Sequence, residues 1–193
     1  MKKILLTGII IFAAIIIVNG QTEKGKVLFG GSSNLNFFTM KTESGSGGSN
    51  KSSGFNMSPY AGYFIANGLA AGAEIPIFHY WSDNYKTTSL GVGPFLKYYV
   101  GEKKVKPYLL GAIELRKSKN KMETDAFRSD YTYNNFIWKF GAGAGIFINE
   151  NTALDLGLHY MHEDFKAKTK QETAYDKGDS RDLSLTIGFT FIL

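Results

Sequence analysis

Residues 182–193, the last stretch of the chain, alternate strictly between apolar and polar side chains. The apolar positions are Leu183, Leu185, Ile187, Phe189 and Phe191, and the positions between them are Ser184, Thr186, Gly188 and Thr190. A period of two residues is typical of a β-strand with one apolar face and one polar face. Because no turn follows this strand, we expect it to close a sheet.

Seven earlier segments also have strand character, and turn signals separate them. The eight predicted strands are residues 26–40, 54–66, 69–81, 87–100, 105–118, 132–148, 152–165 and 182–193. The connections 67–68, 101–104 and 149–151 are short, whereas 42–53, 82–86, 119–131 and 166–181 are longer or more polar. Asn67-Gly68 is a pair that favours hairpin turns. Short turns at one end and long polar loops at the other are typical of an outer-membrane barrel with both termini on the periplasmic side.

The charges in the middle of the predicted strands all share one parity, opposite to that of the apolar residues. They are Glu74, Lys97, Glu114, Arg116, Lys139 and Asp155. Periodicity alone does not separate a membrane barrel from a soluble one, but six charges are too many for an apolar core. On a lipid face, each Arg or Lys near the midplane would cost roughly 2–4 kcal/mol. We therefore predict an all-β, eight-stranded antiparallel transmembrane β-barrel, an up-and-down meander with these charges in its lumen.

The first 20 residues predict a cleaved secretory signal peptide. Lys2 and Lys3 precede an apolar run over residues 4–18, and small residues follow before Gln21. The run is shorter than the roughly 20 residues that a membrane-spanning helix needs. We therefore expect residues 1–20 to be removed and residues 21–193 to form the barrel domain in the cell outer membrane.

Composition excludes several classes of function. The chain has no cysteine, which rules out disulfides and thiolate metal sites. Its net charge of +5 falls to +3 without the two lysines of the predicted signal peptide, which is too weak to predict nucleic-acid binding. We predict no cofactor, and we expect a monomer surrounded by outer-membrane lipid.

Two segments resemble the hairpins of a known family. Residues 59–72 read PYAGYFIANGLAAG and residues 90–99 read LGVGPFLKYY. Both are similar to hairpin signatures of the small outer-membrane β-barrel family, which includes OmpX-like and porin-family proteins. The resemblance implies the fold and the membrane location, and no particular activity. It also implies that Phe191 is the terminal aromatic residue read by the insertion machinery, although here Ile192 and Leu193 follow it.

All four prolines fall inside predicted strands. Proline cannot donate to the hydrogen-bond ladder, so it belongs at strand starts, edges or bulges. We expect Pro107 at a strand start and Pro59, Pro76 and Pro94 at bulges or near strand ends.

The six interior charges number three of each sign. Because eight strands leave a lumen only wide enough for side chains, we favour an ion-pair network that fills the barrel over a polar path or a ligand site. Glu114 and Arg116 share a face and could reach Lys97 or Lys139 on neighbouring strands.

The three histidines give no clear catalytic or metal site. His159 is predicted inside the barrel, and His79 and His162 near its outer rim. Lipid-modifying barrels place a His, a Ser and an acid together, and His79, Ser82 and Asp83 are close in sequence, but nothing fixes their geometry. His159 and His162 point to opposite faces of a strand, which argues against a shared metal. We predict that the protein is not an enzyme.

Aromatic residues gather near the strand ends. Trp81, Tyr80, Tyr133, Trp138 and Tyr160 are predicted near the long loops, and Tyr63, Tyr98 and Phe147 near the short turns. Both sets fit the interfacial girdles of a membrane barrel.

Two functions remain open at this point. The first is a structural or surface-interaction barrel, whose loops 42–53, 119–131 and 166–181 contact partners. The second is a narrow, porin-like channel for small or hydrophobic solutes.

Overall fold

The structure is a computed structural model that describes residues 21–33, 38–43, 49–124, 127–169 and 176–193. The predicted signal peptide, residues 1–20, lies outside the described residues. Within them, no helix is both long enough and apolar enough to cross a membrane.

The regular structure of the described chain consists of ten β-strand segments. They are β1 Val27–Ser33, β2 Phe38–Glu43, β3 Ser49–Ala66, β4 Leu69–Glu74, β5 Ile77–Ser82, β6 Tyr85–Tyr99, β7 Val105–Thr124, β8 Phe127–Phe147, β9 Thr152–Thr169 and β10 Asp176–Ile192. Every pairing between them is antiparallel.

The strand segments close into a ring. From β6 to β10 each strand pairs with the next, β10 pairs with β1, and β1 pairs with β3. Both β1 and β2 pair with successive parts of β3, and both β4 and β5 lie between β3 and β6. Ten segments therefore occupy eight positions around the ring. The predicted all-β antiparallel barrel is confirmed.

The two ends of the chain join the ring. Val27 N donates to Leu193 O at 3.0 Å, and Leu193 N donates to Val27 O at 2.8 Å. The pairing continues from Leu28 opposite Ile192 to Ser33 opposite Ile187. As expected, the last stretch of the sequence closes the sheet.

The short turns lie where the sequence predicts them, and we call that side of the barrel the turn end. Gly68 has a φ of +77°, a conformation that costs glycine little. Its carbonyl accepts a hydrogen bond from Tyr99 N at 2.8 Å, and the strand register shifts between Phe64 and Ala66 beside the turn. We call the opposite side the loop end.

The predicted loops are partly wrong. Within 119–131, β7 continues to Thr124 and β8 begins at Phe127; within 166–181, β9 continues to Thr169 and β10 begins at Asp176. Within 42–53, β3 already begins at Ser49, and β6 takes up Tyr85 of the range 82–86. Polar residues can continue a ladder because its bonds join backbone groups. Residues 44–48, 125–126 and 170–175 lie outside the described part.

The prolines interrupt strands less than expected. Pro76 does separate β4 from β5, although the same register continues on both sides. No register shift occurs at Pro59 within its pairing to β1, or across Pro94 in the β6–β7 pairing, so the expected bulges are absent there. Pro107 is the third residue of β7, near the strand start.

Side chains divide by parity between the outside and the lumen. Large apolar residues cover the outside, with Leu185 82% exposed and Phe140 61% exposed. The lumen near the turn end is filled by a buried cluster of Leu28, Phe64, Phe95, Tyr99, Tyr108, Phe147 and Ile192, with small alanines between them. Phe147 therefore belongs to the interior, and its predicted place in an outer girdle is wrong.

Candidate functional site in the barrel lumen

All six charges singled out from the sequence project into the lumen. Five of them are buried, and the Arg116 side chain is 18% exposed. They come from β4, β6, β7, β8 and β9, so the ring brings together residues that are up to 81 positions apart in the sequence. They form two separate clusters.

The first cluster joins Lys97 of β6 to Asp155 of β9, with Lys97 Nζ 2.6 Å from Asp155 Oδ2. Tyr60 Oη donates to the same carboxylate oxygen at 3.3 Å, and Thr190 Oγ1 also donates to it. Tyr60 Oη and Thr190 Oγ1 lie 2.5 Å apart. Through Oδ2 the buried carboxylate is thus paired and hydrogen-bonded, which is the condition for keeping a charge out of water. Its Oδ1 is buried without a hydrogen-bond partner within the described protein.

Three aromatic rings surround the Lys97 ammonium. Lys97 Nζ lies 4.3 Å from the ring centroid of Tyr108, 4.8 Å from that of Tyr99 and 5.7 Å from that of Tyr60. A cation within about 6 Å of an aromatic face is attracted by it. Removing Lys97 would therefore leave both a carboxylate and a tyrosine cage without their cation.

The second cluster is centred on Lys139 of β8. Its Nζ lies 2.7 Å from Glu74 Oε1 and 2.9 Å from Glu114 Oε1. Arg116 Nη2 lies 2.6 Å from Glu114 Oε2. Two carboxylates and two cations thus form one chain of contacts, with Glu114 between Lys139 and Arg116.

A cavity of about 30 Å³ lies between the two clusters, with Glu74, Lys97 and Asp155 among its lining residues. A space of this size has room for a water molecule and not for a larger solute. His159 is buried at its wall and lies 3.4 Å from Thr186 Oγ1 through Nε2. Between the two clusters, the described part of the lumen is therefore narrow and nearly filled by side chains.

Sequence reasoning missed the residues that complete the first cluster. Tyr60, Tyr99, Tyr108 and Thr190 contact Lys97 or Asp155, but none was named as a site residue. Parity was the available signal, because Tyr99 and Tyr108 share it with Lys97 and Glu114 on their own strands. A search for charged residues alone does not select tyrosines, because they carry no charge.

Beyond the second cluster the lumen widens into a vestibule of about 670 Å³ at the loop end. Its aromatic walls are Phe78, Tyr80, Tyr85, Tyr133 and Phe165. The placement of Tyr80 and Tyr133 in an outer girdle is therefore wrong, since both face inward. Trp138 does lie on the outside, where its ring stacks 5.1 Å from His162 and lies 5.5 Å from Tyr160.

Polar groups line the inner part of the vestibule. Asn135 Nδ2 donates to Glu163 Oε1 and, at 3.4 Å, to Ser118 Oγ. Arg116 Nε, Asn120 Oδ1 and Asn135 Oδ1 are buried without a hydrogen-bond partner within the described protein. The vestibule therefore contains one hydrogen-bond donor and two acceptors that have no partner within the described protein.

The sequence neighbours His79 and Ser82 are not brought together. His79 Nδ1 lies 2.9 Å from Thr88 Oγ1, and Ser82 Oγ donates to the Tyr85 carbonyl at 3.3 Å. A nucleophile and its base must share a hydrogen bond, and these two have different partners. In the described part of the chain, no three His, Asp or Glu side chains are grouped in a way that could hold a metal ion.

A closed antiparallel ring with an apolar outside and paired charges inside is the arrangement expected for a barrel that spans a membrane. Residues 11–191 match the family model of the outer membrane protein beta-barrel domain. The chain belongs to the outer-membrane β-barrel family. The predicted family, transmembrane fold and cell outer membrane location are thereby confirmed.

Two solved outer-membrane barrels are similar in structure. Neisserial surface protein A is 18% identical, with a TM-score of 0.51 over 86% of this chain and 95% of that one. The outer membrane protein AlkL, solved in lipid bilayers, is 10% identical, with a TM-score of 0.53 over 92% of this chain and 93% of that one. At these identities the likeness concerns the fold. No curated protein matches the sequence.

Proposed function

We propose that this outer-membrane barrel is a non-conducting, surface-interaction protein whose lumen is closed by its two ion-pair clusters. The observation that carries the proposal is the pairing of Lys97 with Asp155, and of Lys139 with Glu74, across the lumen. Each pair joins strands that are not neighbours in the sheet. Side chains that meet across a narrow barrel occupy the path that a solute would take.

The strands near the loop end support the surface role. β7 has 20 residues and β8 has 21, whereas a strand needs only about 9–11 residues to cross a bilayer. The ladder between them continues to Thr124 opposite Phe127. The paired strands that lead into 42–53, 119–131 and 166–181 thus extend well beyond the apolar band, and we propose that this end of the barrel meets partners.

The alternative is a narrow channel for small or hydrophobic solutes. The vestibule favours it, since it offers an entrance of about 670 Å³ lined with five aromatic rings. Against it stands the cavity of about 30 Å³ between the two clusters, because a solute would have to displace both. An open pore would require these buried ion pairs to separate, and leaving either charge unpaired is costly.

Conductance across a planar bilayer tests the proposal. We expect the wild-type protein, inserted without residues 1–20, to give no steady current. The variant Glu74→Ala/Glu114→Ala/Lys139→Ala lacks the second cluster. It should give intermittent current, because only the first cluster then closes the lumen. Lys103→Ala/Lys104→Ala, which changes two exposed lysines in the turn 101–104, serves as the control and should match the wild type. A large steady wild-type current would overturn the closed barrel in favour of the channel.

A further inference from the structure

Polar and aromatic side chains alternate in a regular way around the vestibule at the loop end. One rung of the sheet runs from Phe78 of β5 through Ser89 of β6 and Ser118 of β7 to Tyr133 of β8, each residue directly opposite the next. All four side chains line the vestibule. Aromatic rings therefore lie at the two ends of this rung, and hydroxyl groups lie in its middle.

The next rung toward the loop end begins in the same order. Tyr80 of β5 lies opposite Thr87 of β6, and Thr87 lies opposite Asn120 of β7. On β7, Arg116 and Asn120 line the vestibule on either side of the serine rung. Because the chain rises about 3.3 Å per residue in a strand, these two residues are about 13 Å apart. We call the polar side chains of β6 and β7 in this region the polar strip; they are Thr87, Ser89, Arg116, Ser118 and Asn120.

Polar atoms in and beside the polar strip lack partners. Arg116 Nε, Asn120 Oδ1 and Asn135 Oδ1 are buried without a hydrogen-bond partner within the described protein. Asn135 is 8% exposed and lies directly opposite Arg116 in the β7–β8 ladder. A buried polar atom without a partner costs free energy, and a ligand that hydrogen-bonds to it recovers that cost. The strip therefore favours a ligand that both donates and accepts hydrogen bonds.

The charges of the vestibule wall are balanced. Among the described residues that line it, only Arg116 and Glu163 are charged. Arg116 pairs with Glu114, and Glu163 accepts a hydrogen bond from Asn135. An ionic ligand would find no unpaired charge to balance its own, whereas a purely apolar ligand would leave the three polar atoms without partners. The wall therefore fits a neutral ligand that carries many polar groups.

We propose that the vestibule binds the end of a neutral oligosaccharide. A pyranose ring has aliphatic hydrogens on its faces and hydroxyl groups around its edge. Its faces pack against aromatic rings, whose faces are electronegative, and its hydroxyls pair with either donors or acceptors of the strip. The volume of about 670 Å³ lies within the range of ligand sites. Because the second cluster closes the base of the vestibule, the end of a sugar chain enters rather than its middle.

This proposal rests on the surface-interaction role and names a class of partner for it. The test is the binding of the protein, held in nanodiscs, to a printed array of neutral and anionic glycans. We expect binding to neutral glycans, and we expect the same oligosaccharide free in solution to compete for it. Failure of the free sugar to compete would show that the printed carrier is recognised, and would overturn the proposal.

Variants locate the bound sugar. Asn120→Ala removes an acceptor of the polar strip and should weaken binding about fivefold. Lys119→Ala changes the preceding residue, which is exposed on the outward face of β7, and should leave binding unchanged. Tyr133→Leu removes an aromatic face and should weaken binding about tenfold, whereas Tyr133→Phe keeps the ring and should retain most of it. The mobility shift between heated and unheated samples in electrophoresis confirms that each variant is folded.

Several results would overturn the glycan site. They are an array on which no neutral glycan binds, binding confined to anionic glycans, an equal loss in Lys119→Ala and Asn120→Ala, and an equal loss in Tyr133→Leu and Tyr133→Phe. Conductance separates this site from the proposed closed lumen. A barrel that carries no current and binds no glycan refutes the glycan site alone, whereas a steady current through a glycan-binding barrel refutes the closed lumen alone.

Discussion

Lys97 of β6 and Asp155 of β9 meet across the lumen, 2.6 Å apart, although two strands separate them in the sheet. Such a contact depends on the whole ring rather than on one hairpin. The contribution of this ion pair to the free energy of unfolding therefore depends on closure of the whole barrel.

Removing one partner of this pair should destabilise the barrel strongly. Lys97→Met leaves Asp155 buried with only neutral donors, and we expect a loss of about 3–5 kcal/mol in the free energy of unfolding. Lys97→Met/Asp155→Leu removes both charges and should recover much of that loss. Urea unfolding in detergent micelles measures both, with Lys103→Met in an exposed turn as the control. A double variant no more stable than the single one would contradict the ion-pair account.

The second cluster should be unequally sensitive to its two cations. Lys139→Met strips the ammonium from both Glu74 and Glu114 and should cost more than Arg116→Ala, because Glu114 keeps Lys139 in the latter. We expect about 3–5 kcal/mol for Lys139→Met and about 1–3 kcal/mol for Arg116→Ala. Unfolding midpoints of the two variants give the ranking. The reverse order would show that Arg116 is the main counter-charge of Glu114.

Two glycines of adjacent strands should differ in how well they tolerate alanine. A Cβ at Gly143 would lie 2.2 Å from the Leu156 carbonyl oxygen and 2.6 Å from Tyr108 Cζ, so β8 would have to shift. A Cβ at Gly111 meets nothing nearer than 3.8 Å, at the Phe140 ring. Gly143→Ala should lower the refolding yield and the unfolding midpoint, whereas Gly111→Ala should be near neutral. The shift in electrophoretic mobility between heated and unheated samples measures the fraction of folded barrel for each variant.

Trypsin treatment of intact cells should spare Lys119 and Lys121. Both lie within the predicted loop 119–131, but β7 pairs there with β6 on one side and β8 on the other. A paired strand does not fit a protease cleft without local unfolding. Lys103 and Lys104 in the turn 101–104 should be spared in intact cells and cut only after the outer membrane is permeabilised. Peptide mass spectrometry identifies the cleavage sites. Cleavage at Lys103 in intact cells would show that the turn end faces the outside of the cell, opposite to the predicted topology.

Parity explains what the sequence could predict. A period of two tells which side chains share a face, and the six charges do share the lumen. It cannot tell which charge meets which, because partners such as Glu74 and Lys139 lie on strands whose relative height depends on register around the whole ring. The sequence therefore left open the division into two clusters.

The errors have physical causes as well. The polarity of residues 119–131 and 166–181 predicts loops, but ladder hydrogen bonds use backbone groups and need no apolar side chains. Nearness to a strand end predicts an outer girdle position for Tyr80, Tyr133 and Phe147. Their parity placed them inside, and the structure agrees with parity.

The reciprocal bonds between Val27 and Leu193 have a consequence for assembly. These two residues are 166 positions apart, and Leu193 directly follows β10, the last strand. Until they meet, β1 and β10 are open edges, each a row of unsatisfied amides that would accept any other strand. Closing this seam removes both edges at once, and with them the template on which another strand could pair.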